Sequence, residues 1–219
     1  MPALLTEKET MKPLIFGPRS IVAWQQHAKT QTRRLVRPQP LEGYGYVVEQ
    51  SERGLWTAVA TIETYWRAED QLRQPYAVGD ICWIREALKR GRFGYIIYAA
   101  NPLDYLREED EGLARQWPWK RDKLPAMFMP RWACRYYAKV ASVRAERLRD
   151  MSHADGVAEG TLVGLTFKNF APTATWYPGK TRQLYLEWWD SLHRKPGTRS
   201  RDNPWVWVYG LEVVDASTD

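Results

Sequence analysis

The stretch Ala28-Lys29-Thr30-Gln31-Thr32-Arg33-Arg34 is the point from which the rest of this chain is interpreted. Five of its seven side chains carry a hydroxyl group or a positive charge. It follows an apolar periodic segment over residues 21–27, for which Ser20 is the expected N-cap, and the predicted helix ends near Ala28. A basic run at the end of a helix is either a solvated loop or a site where Lys29 and Arg34 hold a polar substrate on which Thr32 acts.

Composition limits the classes of protein to consider. The 219 residues are enough for one large domain or for one domain with insertions. The chain has 12 Trp and 12 Tyr, residues that fill cores and also stack on bases. The net charge of +6 favours an anionic or nucleic-acid partner. A monomer is expected.

The two cysteines, Cys82 and Cys134, lie in apolar runs and are interpreted as buried free thiols in a cytoplasmic protein. The three histidines are far apart in sequence, so no metal site and no cofactor are predicted. No apolar run reaches the roughly 20 residues of a membrane helix. Residues 1–10 are charged and lack the apolar core of a secretion signal, and we expect them to be a flexible lead.

The remaining pattern predicts short strands with a few helices. Strands are expected at residues 13–16, 81–84, 93–99, 134–148 and 205–209, and a hairpin at 44–48 and 55–59. Helices are expected from the cap Ser152 to Glu159, closed by Gly160, and over residues 184–192. There is no βαβ alternation. The pattern favours an α+β protein, a small mixed β-barrel with peripheral short helices. We expect this protein to form a single domain over residues 11–219, with insertions at about 41–75 and 90–126.

Five stretches in order resemble the ASCH-domain family, whose fold is the PUA-like β-barrel, and especially its larger phage and prophage members. They are residues 29–34, 78–86, 129–133, 148–160 and 203–208. The resemblance implies recognition of nucleosides or nucleic acids. One small bacterial branch of the family removes acyl groups from the N4 amine of cytidine with a Lys, a Thr and a Glu.

That branch's Lys-x-x-Thr-x-Arg pattern falls on Lys29, Thr32 and Arg34. The resemblance places its glutamate in the helix after the long strand, at Glu159, with Asp155 and Glu86 as competing carboxylates. The chain is about twice the length of those enzymes, so their substrate range is not carried over.

Amide hydrolysis needs a nucleophile, a base and donors for the oxyanion. Thr32 is the candidate nucleophile, or it positions a water. Lys29 can deprotonate it only if burial or a neighbouring cation lowers the pKa of the amine from about 10.4. Arg33 and Arg34 are such cations. Glu159 is the candidate donor of a proton to the leaving amine.

Further residues are candidates for substrate binding. The set is Arg34, Trp83, Glu86, Arg131 and Trp132. The two tryptophans can stack on a pyrimidine, although each is more often a core residue. Glu86 can bind a base edge, or it can be a structural carboxylate paired with Arg85 or Arg135. Arg131 and Arg135 can contact phosphate.

These residues are compatible with two functions, and the spacing of Lys29, Thr32 and Glu159 favours the first. The first is an amidohydrolase of N4-acylated cytosine- or cytidine-type nucleosides. The second is a non-catalytic PUA-like module that binds RNA or modified single-stranded nucleic acid, because cations and aromatic side chains suffice for binding. A ribonuclease ranks third, since the sequence offers no histidine pair.

Overall fold

The computed structural model describes residues 11–40, 45–50, 56–61, 70–105, 115–163 and 180–214. These residues form an α+β protein with twelve strands in three sheets and three α-helices. Helix α1 is Pro18–Gln25, α2 is His153–Ala158 and α3 is Thr181–Leu192. Short 3-10 helices lie at Ala126–Phe128, Arg131–Ala133, Leu148–Asp150 and Ser200–Asp202.

The central sheet has five strands. In spatial order they are β1 (Lys12–Ile15), β6 (Ile81–Arg85), β11 (Tyr137–Arg147), β12 (Trp205–Val214) and β2 (Gln31–Leu35). β1 pairs with β6 in parallel, and the other three pairings are antiparallel. The hydrogen-bonded order runs in a line from β1 to β2, and the described strands do not close into a barrel.

The two faces of this sheet bury different clusters because side chains alternate along a strand. Trp207 and Tyr209 of β12 belong to the larger core, with Phe16 and Trp24. Val206 and Val208 point to the other face and pack with residues of α3 and of the loop before α2. That second cluster contains Leu148, Met151, Tyr185 and Trp189. Helix α3 therefore covers the face on which the odd-numbered residues of β2 also lie.

Two smaller sheets use the segments predicted as insertions. β3 (Gly45–Gln50), β4 (Trp56–Thr61) and β5 (Asp70–Leu72) form an antiparallel sheet that includes the predicted hairpin. β7 (Leu88–Arg90), β8 (Ile96–Tyr98), β9 (Asn101–Tyr105) and β10 (Lys123–Leu124) form the other, in the order β10-β7-β8-β9. A third core cluster, built on Leu88, Ile96, Tyr98, Met129 and Ala133, lies under this sheet.

Several predicted boundaries were wrong. Helix α1 begins at Pro18 with Gly17 as its N-cap, and Ser20 is a buried residue inside it. The Pro supplies the fixed φ that suits a first helical position, and this outweighs the capping preference of Ser. The strand predicted over residues 93–99 is limited to Ile96–Tyr98, because Gly94 is in a turn with φ +82°. The helices after Ser152 and around residues 184–192 are confirmed.

The basic run was placed at the exit of a helix, either as a solvated loop or as a substrate site, and the solvated loop is wrong because Lys29, Thr32 and Arg33 are buried. Five residues, 26–30, follow the end of α1, and the chain then extends and forms β2 from Gln31 onward. β-branched threonines favour this conformation, and β12 provides the ladder partner. The run therefore has two faces, and this decides which of its side chains can meet.

The structure bears on two further properties. Within the described residues, no helix is both long enough and apolar enough to cross a membrane. Both cysteines are free; Cys82 is buried and Cys134 is half-buried.

Candidate functional site

Lys29 is a buried cation held at the junction of three elements. Its backbone N–H donates to the Ala23 carbonyl of α1, 3.2 Å away. Its side chain is 1% exposed. The ammonium donates to Glu159 Oε2 at 2.7 Å, to the Gln31 carbonyl at 2.8 Å and to the Glu159 carbonyl at 3.2 Å. An ammonium has three N–H donors, so these contacts use its full capacity.

Glu159 reaches this position because of how α2 ends. Ser152 and Asp155 form a capping box at the start of the helix, and Glu159 is its C-cap. A backbone bridge joins Glu159 to Lys29, and the Thr30 N–H donates to the Ala158 carbonyl at 2.8 Å. Gly160 then turns the chain with φ +73°; a Cβ there would lie 2.5 Å from the Cβ of Ala23. Only glycine allows α1 and α2 to approach this closely.

Arg33 binds the other oxygen of the same carboxylate. Its Nη1 is 3.1 Å from Glu159 Oε1, and its Nη2 is 2.6 Å from Glu146 Oε1 and 3.4 Å from Asp155 Oδ1. The Arg33 side chain is fully buried. Arg144 donates to Asp155 at 2.6 Å and to Glu146 at 3.0 Å. The three cations Lys29, Arg33 and Arg144 thus balance three carboxylates, which is the condition for burying charges.

Burial and charge shift the pKa values in this network. Burial lowers the pKa of the Lys29 amine; Glu159 opposes the shift, and Arg34 and Arg33 add to it. Burial also acts to lower the pKa of Arg33, but the carboxylates of Glu159 and Glu146 outweigh it and the pKa is raised. Burial, followed by the charge of Glu159, raises the pKa of Tyr185.

Asp155 behaves in the opposite way to a simple buried acid. Burial acts to raise the pKa of its carboxyl group. Hydrogen bonds from Ser152 and Gln31 and the charge of Arg33 lower it, and the lowering dominates. Asp155 is therefore a carboxylate fixed by capping and ion pairing. This describes a residue that organises the site, in contrast to one that exchanges protons.

Thr32 lies on the other face of β2. It pairs with Tyr209, whose ring belongs to the larger core, whereas Gln31 and Arg33 point towards Asp155 and Glu159. Thr32 is 2% exposed and makes no side-chain hydrogen bond to Lys29 or Glu159 within the described residues. The predicted step in which Lys29 takes the Thr32 proton directly is not set up in this arrangement, because the segment is a strand and not a helical turn.

A recess with room for about one water touches Glu159. Its volume is ≈ 10 Å³, and it is lined by Arg19, Ser20, Glu159, Gly160, Thr161 and Trp188. The Thr161 hydroxyl is buried and has no hydrogen-bond partner within the described part of the chain. A buried hydroxyl without a partner is costly, so a water in this recess has a protein group to bind.

Larger cavities lie elsewhere. One of ≈ 450 Å³ is lined by Trp24 of α1, by the ends of β11 and β12, and by His27 and Arg135, which lie outside these elements. Another of ≈ 690 Å³ lies beyond the other end of β2, between Lys12, Arg37, Arg73 and Tyr76. Neither is lined by Lys29, Thr32 or Glu159.

The predicted substrate-binding residues are not gathered at Lys29. Arg34 donates to the Ile15 carbonyl at 2.7 Å and to the Arg33 carbonyl at 3.1 Å. Trp83 is buried under the Arg85 guanidinium, 4.4 Å from its ring. Glu86 is buried and forms a two-point ion pair with Arg135, at 2.7 and 3.0 Å, which is the structural alternative weighed for it.

Arg131 and Trp132 lie in a short 3-10 helix beside the β7–β10 sheet. Both are exposed, and Trp132 belongs to a group of tryptophans there. They make no hydrogen bond, ion pair or ring contact with Lys29, Thr32 or Glu159 in the described structure. The structure therefore separates two sets that the sequence analysis had combined into one site.

Sequence reasoning missed Glu146, Thr161 and Tyr185. Glu146 lies two strands from Arg33, and only the β11–β12–β2 order shows that Arg33 reaches across Val208 to it. The available signal was the alternation of polar residues at the end of β11, where Arg144 and Glu146 share a face. Nothing in the sequence marked Thr161 or Tyr185.

Comparisons with known proteins add no relative. No family model matches the chain, and no match was found among curated proteins or among solved structures. Within the described residues, no group of three or more His, Cys, Asp or Glu side chains is arranged to hold a metal ion.

Proposed function

We propose that this protein is an amidohydrolase that removes acyl groups from the N4 amine of acylated cytosine- or cytidine-type nucleosides. The observation that supports this most is the contact between Lys29 and Glu159. The two residues are 130 positions apart, and they lie 2.7 Å from each other in a buried site. They are also the two residues that the ASCH-type resemblance pairs for this chemistry. A buried lysine with a lowered pKa beside a carboxylate is typical of an acid–base site.

We also propose that the five-stranded sheet is part of a PUA-like barrel. Its edge strands β1 and β2 are close enough for one side chain to span them, since Arg34 of β2 donates to the Ile15 carbonyl of β1. The face that carries Trp207 and Tyr209 packs against Phe16 and Trp24, which lie at the end of β1 and in α1. A sheet whose edge strands approach each other around an aromatic core is consistent with a barrel in which β1 and β2 are joined by a side-chain contact and not by a backbone ladder.

The chemistry begins with the proton shared by the pair. Transfer of one proton from Lys29 Nζ to Glu159 Oε2 converts the ion pair into a neutral amine and a carboxylic acid. The amine can then take up a proton of the attacking water, relayed through the Glu159 carboxyl group, which contacts both Nζ and the recess. The acid can protonate the N4 nitrogen as the C–N bond breaks, so that the nucleoside leaves as its amine and the acyl group leaves as a carboxylic acid, which loses its remaining proton to solvent. Burial lowers the pKa of the Lys29 amine, and this favours the neutral amine.

The recess beside Glu159 supplies a position for the attacking water. It contacts the carboxylate residue directly, and the Thr161 hydroxyl is available as a hydrogen-bond partner for that water. Thr32, the nucleophile expected from the resemblance, faces the core instead. We therefore assign the attack to a water held in this recess.

The test is the hydrolysis of N4-acetylcytidine by purified protein, followed by the loss of the acylated chromophore. Lys29→Met and Glu159→Gln should each lower kcat by about 10²- to 10⁴-fold, the usual contribution of a general acid or base. The matched control is Lys12→Met, which removes a lysine whose ion pair with Asp80 is at the surface. It should leave the rate unchanged.

Two further variants identify the nucleophile. Thr161→Val, which keeps the shape and removes the hydroxyl, should slow the reaction. Thr32→Ala should retain it. Loss of activity in Thr32→Ala alone, with the fold intact by circular dichroism, would return the nucleophilic role to Thr32. Activity that survives both Lys29→Met and Glu159→Gln would reject the proposed function.

A further inference from the structure

Three tryptophans form a continuous aromatic surface beside the β7–β10 sheet. We call Trp117, Trp119 and Trp132 the aromatic platform. The rings of Trp119 and Trp132 are nearly parallel, with planes 8° apart and centroids 6.1 Å apart. Trp117 meets Trp119 edge-on, with centroids 4.7 Å apart. The Arg115 guanidinium lies 4.5 Å from the Trp132 ring centroid.

The platform is exposed and yet held in place. Trp132 is 48% exposed, which is unusual for so large an apolar side chain. Its 3-10 helix is fixed from below, because Ala133 is buried and its carbonyl accepts a hydrogen bond from the Tyr98 hydroxyl at 3.0 Å. Trp117 and Trp119 pack against the same core cluster. The Trp117 indole N–H donates to the Arg121 carbonyl at 2.8 Å. A rigid aromatic face loses little entropy when a ligand stacks on it.

The charge around the platform selects the partner. Residues 88–133 contain nine lysines and arginines and six aspartates and glutamates, and the described parts of this segment, residues 88–105 and 115–133, contain eight of the basic and two of the acidic residues. Arg131 is exposed next to Trp132, and Lys120 and Arg121 are exposed next to Trp119. Cations beside exposed rings match a ligand that carries both flat bases and phosphates. A protein partner docking on an apolar patch would not require this excess of positive charge.

We propose that the aromatic platform binds single-stranded nucleic acid, with an unpaired base stacked on Trp132 and the adjacent phosphates near Arg131 and Arg115. Stacking on an aromatic ring accepts any base, so this surface recognises the single-stranded state with little sequence preference. The inference does not rest on the proposed hydrolase, because no contact links the platform to Lys29 or Glu159 in the described residues. It assigns the exposed tryptophan to a polymer-binding surface.

The experiment is a fluorescence-anisotropy titration of full-length protein with labelled single strands of about ten nucleotides, a length within the site sizes of such proteins. Oligo-uridine and oligo-thymidine are compared with a duplex of equal length. We expect both single strands to bind more tightly than the duplex. Trp132→Ala should weaken binding about 5- to 150-fold, the range for loss of one stacked base. Trp132→Phe, which keeps an aromatic face, should recover most of the affinity.

Two controls separate stacking and charge from general damage. Leu192→Ala removes an exposed apolar residue on α3 and should bind normally. Arg131→Ala should reduce the slope of log affinity against log salt by about one, whereas Arg201→Ala, on another exposed surface, should not.

Two results would overturn the inference: equal affinity for the single strands and the duplex, or binding by Trp132→Ala equal to that of the unaltered protein. The second result, found together with intact hydrolysis of N4-acetylcytidine, would leave the proposed function standing. Absence of N4-acetylcytidine hydrolysis by the unaltered protein, with oligonucleotide binding that is present and is weakened in Trp132→Ala, would reject the proposed function and leave this inference standing.

Discussion

Replacing Glu159 by glutamine should destabilise the protein more than any other single change in the buried network. The carboxylate binds Lys29 at 2.7 Å and Arg33 at 3.1 Å, and all three side chains are almost completely buried. An amide has the same shape but leaves two buried cations without their shared charge. Breaking a buried ion pair from one side costs about 3–5 kcal/mol. We expect Glu159→Gln to fall in the upper part of this range.

The companion variant Lys29→Met should cost less. It leaves Glu159 paired with Arg33, so no carboxylate is left without a cation, and it removes an ammonium whose burial is itself unfavourable. The loss is limited to the donors to two backbone carbonyls, about 1–3 kcal/mol. Lys12→Met, at the exposed pair with Asp80, should cost at most about 1 kcal/mol. The expected order of destabilisation is Glu159→Gln, then Lys29→Met, then Lys12→Met.

Urea unfolding followed by tryptophan fluorescence measures these free energies, and calorimetry gives Tm. For a protein of this size, about 3–5 kcal/mol corresponds to a Tm lower by roughly 6–20 °C. A Glu159→Gln protein within about 1 kcal/mol of the unaltered one would refute the reasoning, because the cations would then have other partners. A reversed order of Glu159→Gln and Lys29→Met would show that Arg33 does not hold the carboxylate.

Three other outcomes are expected. Folding lowers the pKa of Asp155. The stabilisation by Asp155 is therefore fully present above the ordinary pKa of an aspartate, about 3.9, and is lost as the pH falls below that value. Urea midpoints measured between pH 7 and pH 3 should decline less steeply with acid in Asp155→Asn than in the unaltered protein. Burial raises the pKa of Cys82 to about 12 and also raises the pKa of Cys134. Both thiols of the native protein should therefore resist a thiol reagent at pH 8, and both should react after unfolding. Rapid labelling of Cys82 in the native protein would contradict its burial. Gly160→Ala should lower the free energy of unfolding, measured with urea, by about 2–5 kcal/mol, because it combines a left-handed backbone with a clash against α1. Gly197→Ala is the control: it has the backbone strain alone and should lower that free energy by about 1–2 kcal/mol.

Local signals predicted the parts of the fold that depend on near neighbours. The Ser152 cap and the Gly160 stop define α2 within nine residues, so the position of Glu159 at its end followed from the sequence. Strand β12 was equally clear, because a run of Trp and Val favours an extended conformation. Burial of Lys29 was not visible locally, since a lysine between Ala28 and Thr30 in a basic run is usually solvated.

The error at Thr32 has a simple physical origin. When residues 29–34 are taken as a helical exit, a lysine and a threonine three positions apart share a face. When the segment is a strand, residues three apart point in opposite directions. Side-chain proximity depends on the period of the backbone, and the pairing with β12, about 175 residues away, decides the period.

The network around Arg33 lay further beyond prediction. Its partners Glu146, Asp155 and Glu159 come from a strand and a helix more than 110 residues along the chain. Each alone resembles a surface charge. Their convergence depends on strand order and on the covering by α3, both of which are products of tertiary packing.

The pairing of β2 with β12 also affects how the protein is made. Gln31 lies opposite Gly210 and Leu35 opposite Val206, so among the described strands the only ladder partner of β2 is synthesised near the end of the chain. At about 5–20 residues per second, the ribosome needs roughly 9–36 s to add the intervening residues. Throughout that time β2 lacks its strand partner, and for the first 126 to 130 residues of it Arg33 and Lys29 also lack Glu159. The positively charged segment is therefore completed by its buried partners only late in synthesis.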